Sequence, residues 1–381
     1  MNASQDPDRR TVLVVDDEPG MRYMARRVLE ARYDVVEAAS GEEAIDRFGD
    51  RHFDIALVDL RLQGQSGLEL LSSIKVMSPS TDVVIMTGST KDPDEALLGS
   101  IRRKAFFFLR KPFSATLLET LVDRITETQL LEERLQQTKR TLEEDLESAR
   151  VFQQGLLPPR DWARRGITAA GLYIPSARLS GDLIDYWTLP GGGTAFLAAD
   201  IEGHGASAAM MTGIVKTQIR TLASQESDPA RILEGLDGVL RSFALSRFLT
   251  ILLVIDDGAE LRFCGAGHPA GLLRNPDGTI ATLESEGLPL NVVLPMPHGR
   301  TTSTLARRAG SRLFMFTDGV GDSESPDGAR FNETPDYDPA VMRALGLPPA
   351  KARALLEEAM QRHTHGTPQE DDRAFLIAEL K

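Results

Sequence analysis

Residues 12–17 read VLVVDD, four apolar residues followed at once by two acidic ones. Comparable apolar runs begin at Ile55, Val83 and Phe106, and stretches with the length and spacing of helices separate them. Near-continuous apolar runs are typical of strands that are buried on both faces of a sheet. Their alternation with helices predicts a doubly wound α/β domain over residues 11–125, built on a five-stranded parallel sheet.

Composition and charge argue against several classes of protein. The chain has 381 residues, enough for two or three domains, and a formal net charge of −13. Such an acidic chain is not expected to bind nucleic acid, or to attach to a membrane through a cluster of basic residues. The single cysteine, Cys264, excludes an intramolecular disulfide framework and indicates a cytoplasmic protein. Residues 1–10 lack the pattern of a signal peptide and are predicted to be disordered, and no apolar run is long enough to span a bilayer.

Residues 113–157 have the pattern of one long helix that continues the last helix of the first domain. Mostly apolar residues recur there every seven positions in a segment otherwise rich in Glu, Gln, Arg and Lys. Because a narrow apolar seam needs a partner, the pattern predicts a linker that forms a parallel homodimeric coiled coil. The alternative is a helix packed on its own domain. The seam positions are Leu121, Thr128, Leu135, Leu142, Ala149 and Leu156, with Ile125, Leu131, Leu146 and Phe152 beside them.

Residues 160–381 show a third pattern, in which short strand-like runs come in pairs separated by turn signals. Residues 250–264 are an example, with Asp-Asp-Gly between two apolar runs. Helical stretches stand at about 205–223, 229–243 and 350–363. The pattern predicts an α+β domain, an antiparallel β-sandwich flanked by helices.

Polar side chains follow the strands of the first domain at the points where the strands end. Asp16 and Asp17 follow the first apolar run, Asp59 the third strand, Thr87 the fourth and Lys111 the fifth. The carboxyl ends of parallel strands meet at one edge of a sheet, so these side chains are expected to lie together. Three neighbouring carboxylates suit Mg²⁺, and a carboxylate beside Mg²⁺ can attack phosphorus as a nucleophile.

This ordered set resembles the receiver domain of bacterial two-component response regulators. The resemblance implies that Asp59 accepts a phosphoryl group from a sensor histidine kinase, and that Lys111–Pro112 is a cis peptide bond. The sequence departs from the family pattern at Gln63 and at Lys104, away from the chemistry. The other residues matched by position are Asp16 and Asp17, which bind Mg²⁺ with Asp59, and Thr87, Phe108 and Lys111, which form the switch.

Aspartates recur beside apolar runs in the last domain. An isolated Asp-Gly is a common turn signal, but carboxylates gathered at strand ends would build a site made of oxygen ligands alone. Such a site selects Mg²⁺ or Mn²⁺ over zinc, and several aspartates suffice for two ions. The aspartates concerned are Asp182, Asp185, Asp200, Asp318, Asp371 and Asp372.

Three further motifs accompany these aspartates: QQGLLP at residues 153–158, Thr250 before a strand, and AGHP at residues 266–269. The ordered set resembles the metal-dependent Ser/Thr protein phosphatases, the PPM or PP2C family. The similar subgroup is the bacterial one typified by the stage II sporulation E phosphatases. The resemblance covers about residues 145–381.

The resemblance assigns a role to each aspartate. It implies that Asp200, Asp318 and Asp371 are catalytic and hold two Mg²⁺ or Mn²⁺ ions, with Asp200 bridging them and the Ile201 carbonyl binding one. The sequence departs from the pattern at Ser180 and Ala199, and at Arg373-Ala374, where Ile-Thr is usual, but no carboxylate is lost. The supporting acids, which would hold metal-bound water or substrate, are Asp182, Asp185 and Asp372.

The two resemblances together imply a response regulator whose output is the hydrolysis of phosphoserine or phosphothreonine. The expected substrate is a phosphorylated anti-anti-sigma-type protein, and phosphorylation of Asp59 is expected to raise activity, although the opposite sign needs no different residues. The alternative is a non-catalytic adaptor that binds a sigma factor or its regulator in a phosphorylation-dependent way. The complete aspartate set favours the enzyme.

Overall fold

The computed structural model describes residues 9–88, 107–203, 205–243, 247–292 and 299–381. The chain forms two compact units that divide between Arg140 and Thr141. Of the N-terminus predicted to be disordered, residues 1–8 lie outside the described residues. In the first unit the elements are β1 (Thr11–Val15), α1 (Pro19–Leu29), β2 (Asp34–Ala38), α2 (Gly41–Asp50), β3 (Ile55–Asp59), α3 (Gly67–Met77), β4 (Asp82–Thr87), β5 (Phe107–Arg110) and α4 (Ala115–Leu156).

The first unit contains a parallel sheet with strand order β2-β1-β3-β4-β5. Successive residues of a strand point to opposite faces, so β1 contributes Leu13 and Val15 to one core and Val12 and Val14 to the other. Both cores are closed by helices, which explains why the strands read as continuous apolar runs. The predicted five-stranded, doubly wound α/β fold is confirmed.

Helix α4 is 42 residues long and enters both units. Its first turns bury Leu118, Val122 and Ile125 in the core of the first unit. The sequence pattern counted Ile125 with the seam, which is wrong, because this turn of the helix packs on its own domain. Further along, Leu135 and Leu142 are 69% and 56% exposed, and the coiled coil stays a prediction. Within the described ranges, no helix combines the length and apolar character needed to cross a membrane.

The second unit is a sandwich of two antiparallel sheets, as predicted. One sheet has the order β14-β11-β10-β9-β8 and the other β13-β12-β15-β16-β7-β6. The predicted hairpin at residues 250–264 is β10–β11. The strands are β6 (Asp161–Arg164), β7 (Ile167–Ile174), β8 (Asp182–Thr188), β9 (Thr194–Ile201), β10 (Leu249–Asp256), β11 (Glu260–Ala266), β12 (Gly271–Arg274), β13 (Ile280–Leu283), β14 (Ser303–Ala306), β15 (Ser311–Phe316) and β16 (Arg373–Leu380).

Helices cover both outer faces of this sandwich. The sheet that contains β9 packs its outer face on α5 and α6, through residues such as Leu197, Leu253 and Val215. The sheet that contains β16 packs on α7, α8 and α9, through Phe375 and Leu356. The helices are α5 (Ala206–Ala223), α6 (Pro229–Ser242), α7 (Asp318–Gly321), α8 (Tyr337–Ala344) and α9 (Pro349–Thr364), with a 3₁₀ turn at Phe331–Glu333.

Candidate functional site

The ends of β1, β3 and β5 bring Asp16, Asp59 and Lys111 together at one edge of the first sheet. The Lys111 ammonium lies 2.6 Å from the Asp16 carboxylate and 2.7 Å from that of Asp59. Burial raises the pKa of Asp16, although the bond from Lys111 opposes it. Burial lowers the pKa of Lys111, but its bonds to Asp16 and Asp59 outweigh this and the pKa is raised. The ammonium therefore stays charged between the two carboxylates.

The remaining predicted residues of this edge lie on the same strands or next to them. Asp17 follows Asp16 and is half-buried. Thr87 ends β4, and its carbonyl accepts a hydrogen bond of 2.7 Å from the backbone N–H of Lys111. Lys111–Pro112 is a cis peptide bond, as predicted. Phe108 lies in β5 with its side chain exposed.

In the second unit, the strand register aligns three polar residues in one row. Asp182, the first residue of β8, pairs with Asp200 of β9, which in turn pairs with Thr250 of β10. The Thr317 hydroxyl, which comes just before α7, donates a hydrogen bond of 2.7 Å to Asp182. Asp318, the first residue of α7, and Asp371, in the loop before β16, add their charges beside this row.

The charges of neighbouring carboxylates act on Asp200 and Asp182. Burial and the charges of Asp318 and Asp371 raise the pKa of Asp200 to about 7. Burial, followed by the charge of Asp200, raises the pKa of Asp182 well above its usual value. Burial also raises the pKa of Asp318 and Asp371. Like charges that converge in a partly dehydrated place favour a proton or a cation among them.

Two glycines let the backbone approach this cluster closely. A Cβ at Gly181 would lie 2.5 Å from the Ile201 carbonyl oxygen, and a Cβ at Gly319 would overlap the carbonyl oxygen of Asp372. Any larger residue would push these loops apart. The predicted carbonyl ligand at Ile201 therefore lies directly against the loop that carries Asp182.

Asp372 is placed as a structural anchor. One of its carboxylate oxygens accepts bonds from the backbone N–H and the hydroxyl of Ser176, at 2.7 and 2.9 Å. The other accepts a bond of 2.9 Å from the N–H of Gly181. Both oxygens thus hold the loop before β8.

Asp185 does not join the cluster. Side chains three positions apart on a strand point to opposite faces, so Asp185 faces away from the row that contains Asp182. It is fully buried, and Arg220 of α5 binds it at 2.8 and 3.0 Å, with Lys216 at 3.2 Å. The sequence predicted that Asp185 holds water or substrate. The structure instead places it in an ion pair that fixes α5 to β8.

A family model described as Stage II sporulation protein E (SpoIIE) matches residues 190–381, half of the chain. The chain belongs to the SpoIIE family. A second model, the response regulator receiver domain, matches residues 12–123. The chain is thus a receiver domain fused to a PP2C-like SpoIIE domain.

Individual relatives agree with this reading. "Phosphoserine phosphatase RsbP" of Bacillus subtilis is 25% identical over 253 residues, which are 65% of this chain and 60% of RsbP. "Nitrogen assimilation regulatory protein NtrX" of Azorhizobium caulinodans is 32% identical over 131 residues, 34% of this chain and 28% of that protein. The match therefore spans less than two thirds of either relative. The SiaA-PP2C domain of Pseudomonas aeruginosa superposes with a TM-score of 0.55 at 20% identity, over 64% of this chain and 99% of that one, and so shares the fold.

The donor atoms of the SpoIIE domain fit divalent cations. In the described ranges, no three His, Cys, Asp or Glu side chains are already arranged around one point as metal ligands. The donors near Asp200 are nonetheless carboxylates and a carbonyl, which are the ligands that Mg²⁺ and Mn²⁺ prefer. Burial and the neighbouring carboxylates raise the pKa of Asp200, so these groups favour a cation among them.

Sequence reasoning missed two contacts in the SpoIIE domain. Gln153 of α4 donates to the carbonyl of Ser180 at 2.7 Å and accepts from its N–H at 3.1 Å. The Thr250 hydroxyl lies 2.8 Å from Nδ1 of the buried His268. The QQGLLP and AGHP motifs contain Gln153 and His268 and were the available sequence signals. Their hydrogen-bond partners lie far away in the sequence and could not be predicted from it.

Proposed function

We propose that this chain is a two-component response regulator whose output is the metal-dependent removal of phosphate from phosphoserine or phosphothreonine on a partner protein. The observation that supports this is the convergence of carboxylates from separate strand ends, with the pKa of Asp200 raised to about 7. Structural carboxylates are normally paired with cations, as Asp185 is. A group of partly buried carboxylates without such pairing is typical of a metal-dependent active site.

In this proposal, Asp200, Asp318, Asp371 and the carbonyl of Ile201 hold two Mg²⁺ or Mn²⁺ ions. Such ions polarise phosphoryl oxygens and acidify water when bound. Asp182, oriented by Thr317, lies opposite Asp200 in the strand register, where it would hold water or substrate beside a bound ion. Asp372 takes no part in binding, because its oxygens are used by Ser176 and Gly181.

The proposed control begins at Asp59. Phosphorylation by a sensor histidine kinase adds nearly two negative charges where Lys111 now binds Asp59 at 2.7 Å. Helix α4 packs in the receiver core through Ile125 and reaches Ser180 through Gln153, two residues before Asp182. A change in the pairing or rotation of α4 would thus reach the loop that carries Asp182. We infer that phosphorylation raises the phosphatase activity.

The name of RsbP as a phosphoserine phosphatase supports a phosphoserine substrate. The resemblance to the stage II sporulation E subgroup supports a phosphorylated anti-anti-sigma-type protein as that substrate. The net charge of −13 opposes a nucleic-acid substrate.

Phosphate release from p-nitrophenyl phosphate in the presence of Mn²⁺ tests the enzyme. We expect turnover by the wild type and a loss of at least about 100-fold in Asp318→Asn, because a metal ligand is removed. Asp338→Asn, which changes an exposed acid of α8, serves as the matched control and should keep full activity. Absence of turnover in the wild type at every Mn²⁺ or Mg²⁺ concentration, with and without acetyl phosphate, would instead support the adaptor.

A further inference from the structure

A cavity of about 200 Å³ opens beside the aspartate cluster. It lies between the segment that follows β15 and the segment that leads into β16. Asp371, one of the proposed metal ligands, is part of its wall. The residues that line it include Gly319, Asp322, Arg330, Thr367, Asp371 and Arg373.

Arg373 is the unusual member of this wall. It is 9% exposed, yet the described part of the chain offers its guanidinium neither a hydrogen bond nor an ion pair. Two other largely buried arginines of the same sandwich have carboxylate partners: Arg312 lies 2.7 Å from Glu379, and Arg307 lies 3.1 Å from Asp256. A guanidinium that lines a cavity and has no partner there is available to a ligand that enters the cavity.

The position of Arg373 indicates what that ligand is. Asp371 lies in the loop that leads into β16, and Arg373 is the first residue of that strand. Both line the cavity, which places a guanidinium beside the carboxylates proposed to bind metal. The planar fork of a guanidinium matches two oxygens of a phosphoryl group.

We propose that Arg373 binds two non-bridging oxygens of the substrate phosphoryl group and thereby determines affinity for phosphorylated substrate. The proposal rests on the proposed function and names one more residue of the same site. Arg330 lines the cavity as well, but it is 51% exposed at its side chain and lies 3.6 Å from Asp322. It therefore provides the matched control.

The test compares Arg373→Gln with Arg330→Gln in the full chain loaded with Mn²⁺. Binding of inorganic phosphate is measured by calorimetry, and the hydrolysis of a phosphoserine peptide gives KM and kcat. We expect Arg373→Gln to weaken phosphate binding and to raise KM by about tenfold or more, with a smaller change in kcat. Arg330→Gln should change both quantities less than about twofold, as an exposed charge does.

The competing explanation is that Arg373 only balances the charge of Asp371. In that case Arg373→Gln would alter the affinity for Mn²⁺ and leave phosphate binding unchanged, and the proposal would be overturned. If Arg373→Gln fails to fold, Arg373→Lys decides the matter. It keeps the charge but lacks the fork, so phosphate binding equal to that of the wild type would contradict the proposal.

Because phosphate binding is measured without turnover, the two proposals fail separately. Phosphate binding that depends on Arg373 in a chain that does not hydrolyse phosphoesters would sustain the anion site and reject the enzyme. Hydrolysis with a KM that is unchanged in Arg373→Gln would support the enzyme and reject the anion site.

Discussion

At the scale of single residues, Asp371 and Asp372 show how adjacent carboxylates acquire different roles. Asp371 lies at the exposed edge of the cluster, but partial loss of hydration there, together with the charges of Asp318 and Asp372, raises its pKa. Asp372 is buried and accepts three hydrogen bonds from Ser176 and Gly181. The first residue is suited to a ligand and the second to holding the loops.

Asp372→Ala is therefore expected to destabilise the fold, whereas Asp371→Asn is not. Removing Asp372 leaves the buried N–H groups of Ser176 and Gly181 without acceptors, a loss of about 2–3 kcal/mol. Asp371→Asn removes a like charge from the cluster and should leave the metal-free protein as stable as the wild type or more so. Urea unfolding in EDTA measures both. Equal destabilisation by the two substitutions would contradict the division of roles.

The raised pKa of Asp200 predicts how the metal-free protein responds to pH. Its folded pKa of about 7 exceeds the usual value of 3.8, so the folded state binds a proton that the unfolded state has released. The stabilising contribution is complete below about pH 4 and is lost as the pH rises through 7. We expect the Tm in EDTA to fall between pH 5 and pH 8.

Asp200→Asn, which cannot ionise, should flatten that fall, and excess Mn²⁺ should reverse it in the wild type. Each kcal/mol corresponds to roughly 2–4 °C for a unit of this size. A Tm that is constant from pH 5 to pH 8 in EDTA would show that the carboxylates are not coupled as described.

At the scale of secondary-structure elements, the middle of helix α4 carries apolar seam residues that no described part of the chain covers. Leu135 and Leu142 are seven residues apart and are exposed. We expect Leu135→Lys/Leu142→Lys to shift the protein from dimer to monomer in light scattering at micromolar concentration, because charges at seam positions oppose pairing. Gln137→Lys/Glu144→Lys adds the same side chains outside the seam and should leave the dimer intact. A wild type that is monomeric at all concentrations would contradict the coiled coil.

The elements also show how far the sequence specifies this molecule. Runs such as VLVVDD and the turn between β10 and β11 predicted strands and hairpins correctly, because burial on both faces and tight turns leave local patterns. The predicted role of Asp185 was wrong, because the sequence does not show to which face of β8 this side chain points. The cation that binds it, Arg220, is 35 residues away in the sequence. The surroundings of Thr317, Gln153 and Arg373 could not be predicted for the same reason, since they are assembled only by tertiary packing.

At the scale of the whole molecule, phosphorylation of Asp59 is expected to raise the turnover of a phosphopeptide several-fold. The phosphoryl charge competes with Asp16 and Asp59 for the ammonium of Lys111. It therefore changes the contacts at the sheet edge where β5 ends and the chain continues into α4. Steady-state assays with and without acetyl phosphate measure this. Asp59→Asn should not respond, whereas Asp46→Asn, an exposed acid of α2, should respond like the wild type. Equal activity of the treated wild type and Asp59→Asn would reject the coupling.

Helix α4 runs without interruption from Ala115 to Leu156, and this has a consequence for recombination between genes. A helix turns by about 100° per residue, so a graft that adds or removes seven residues changes the phase of its far end by only about 20°. One that adds or removes two residues turns the far end by about 200°. A different sensory domain can thus be joined to α4 when the helix length changes by a multiple of seven residues. In a series of chimaeras with increasing helix length, we expect the functional ones to recur every seven residues.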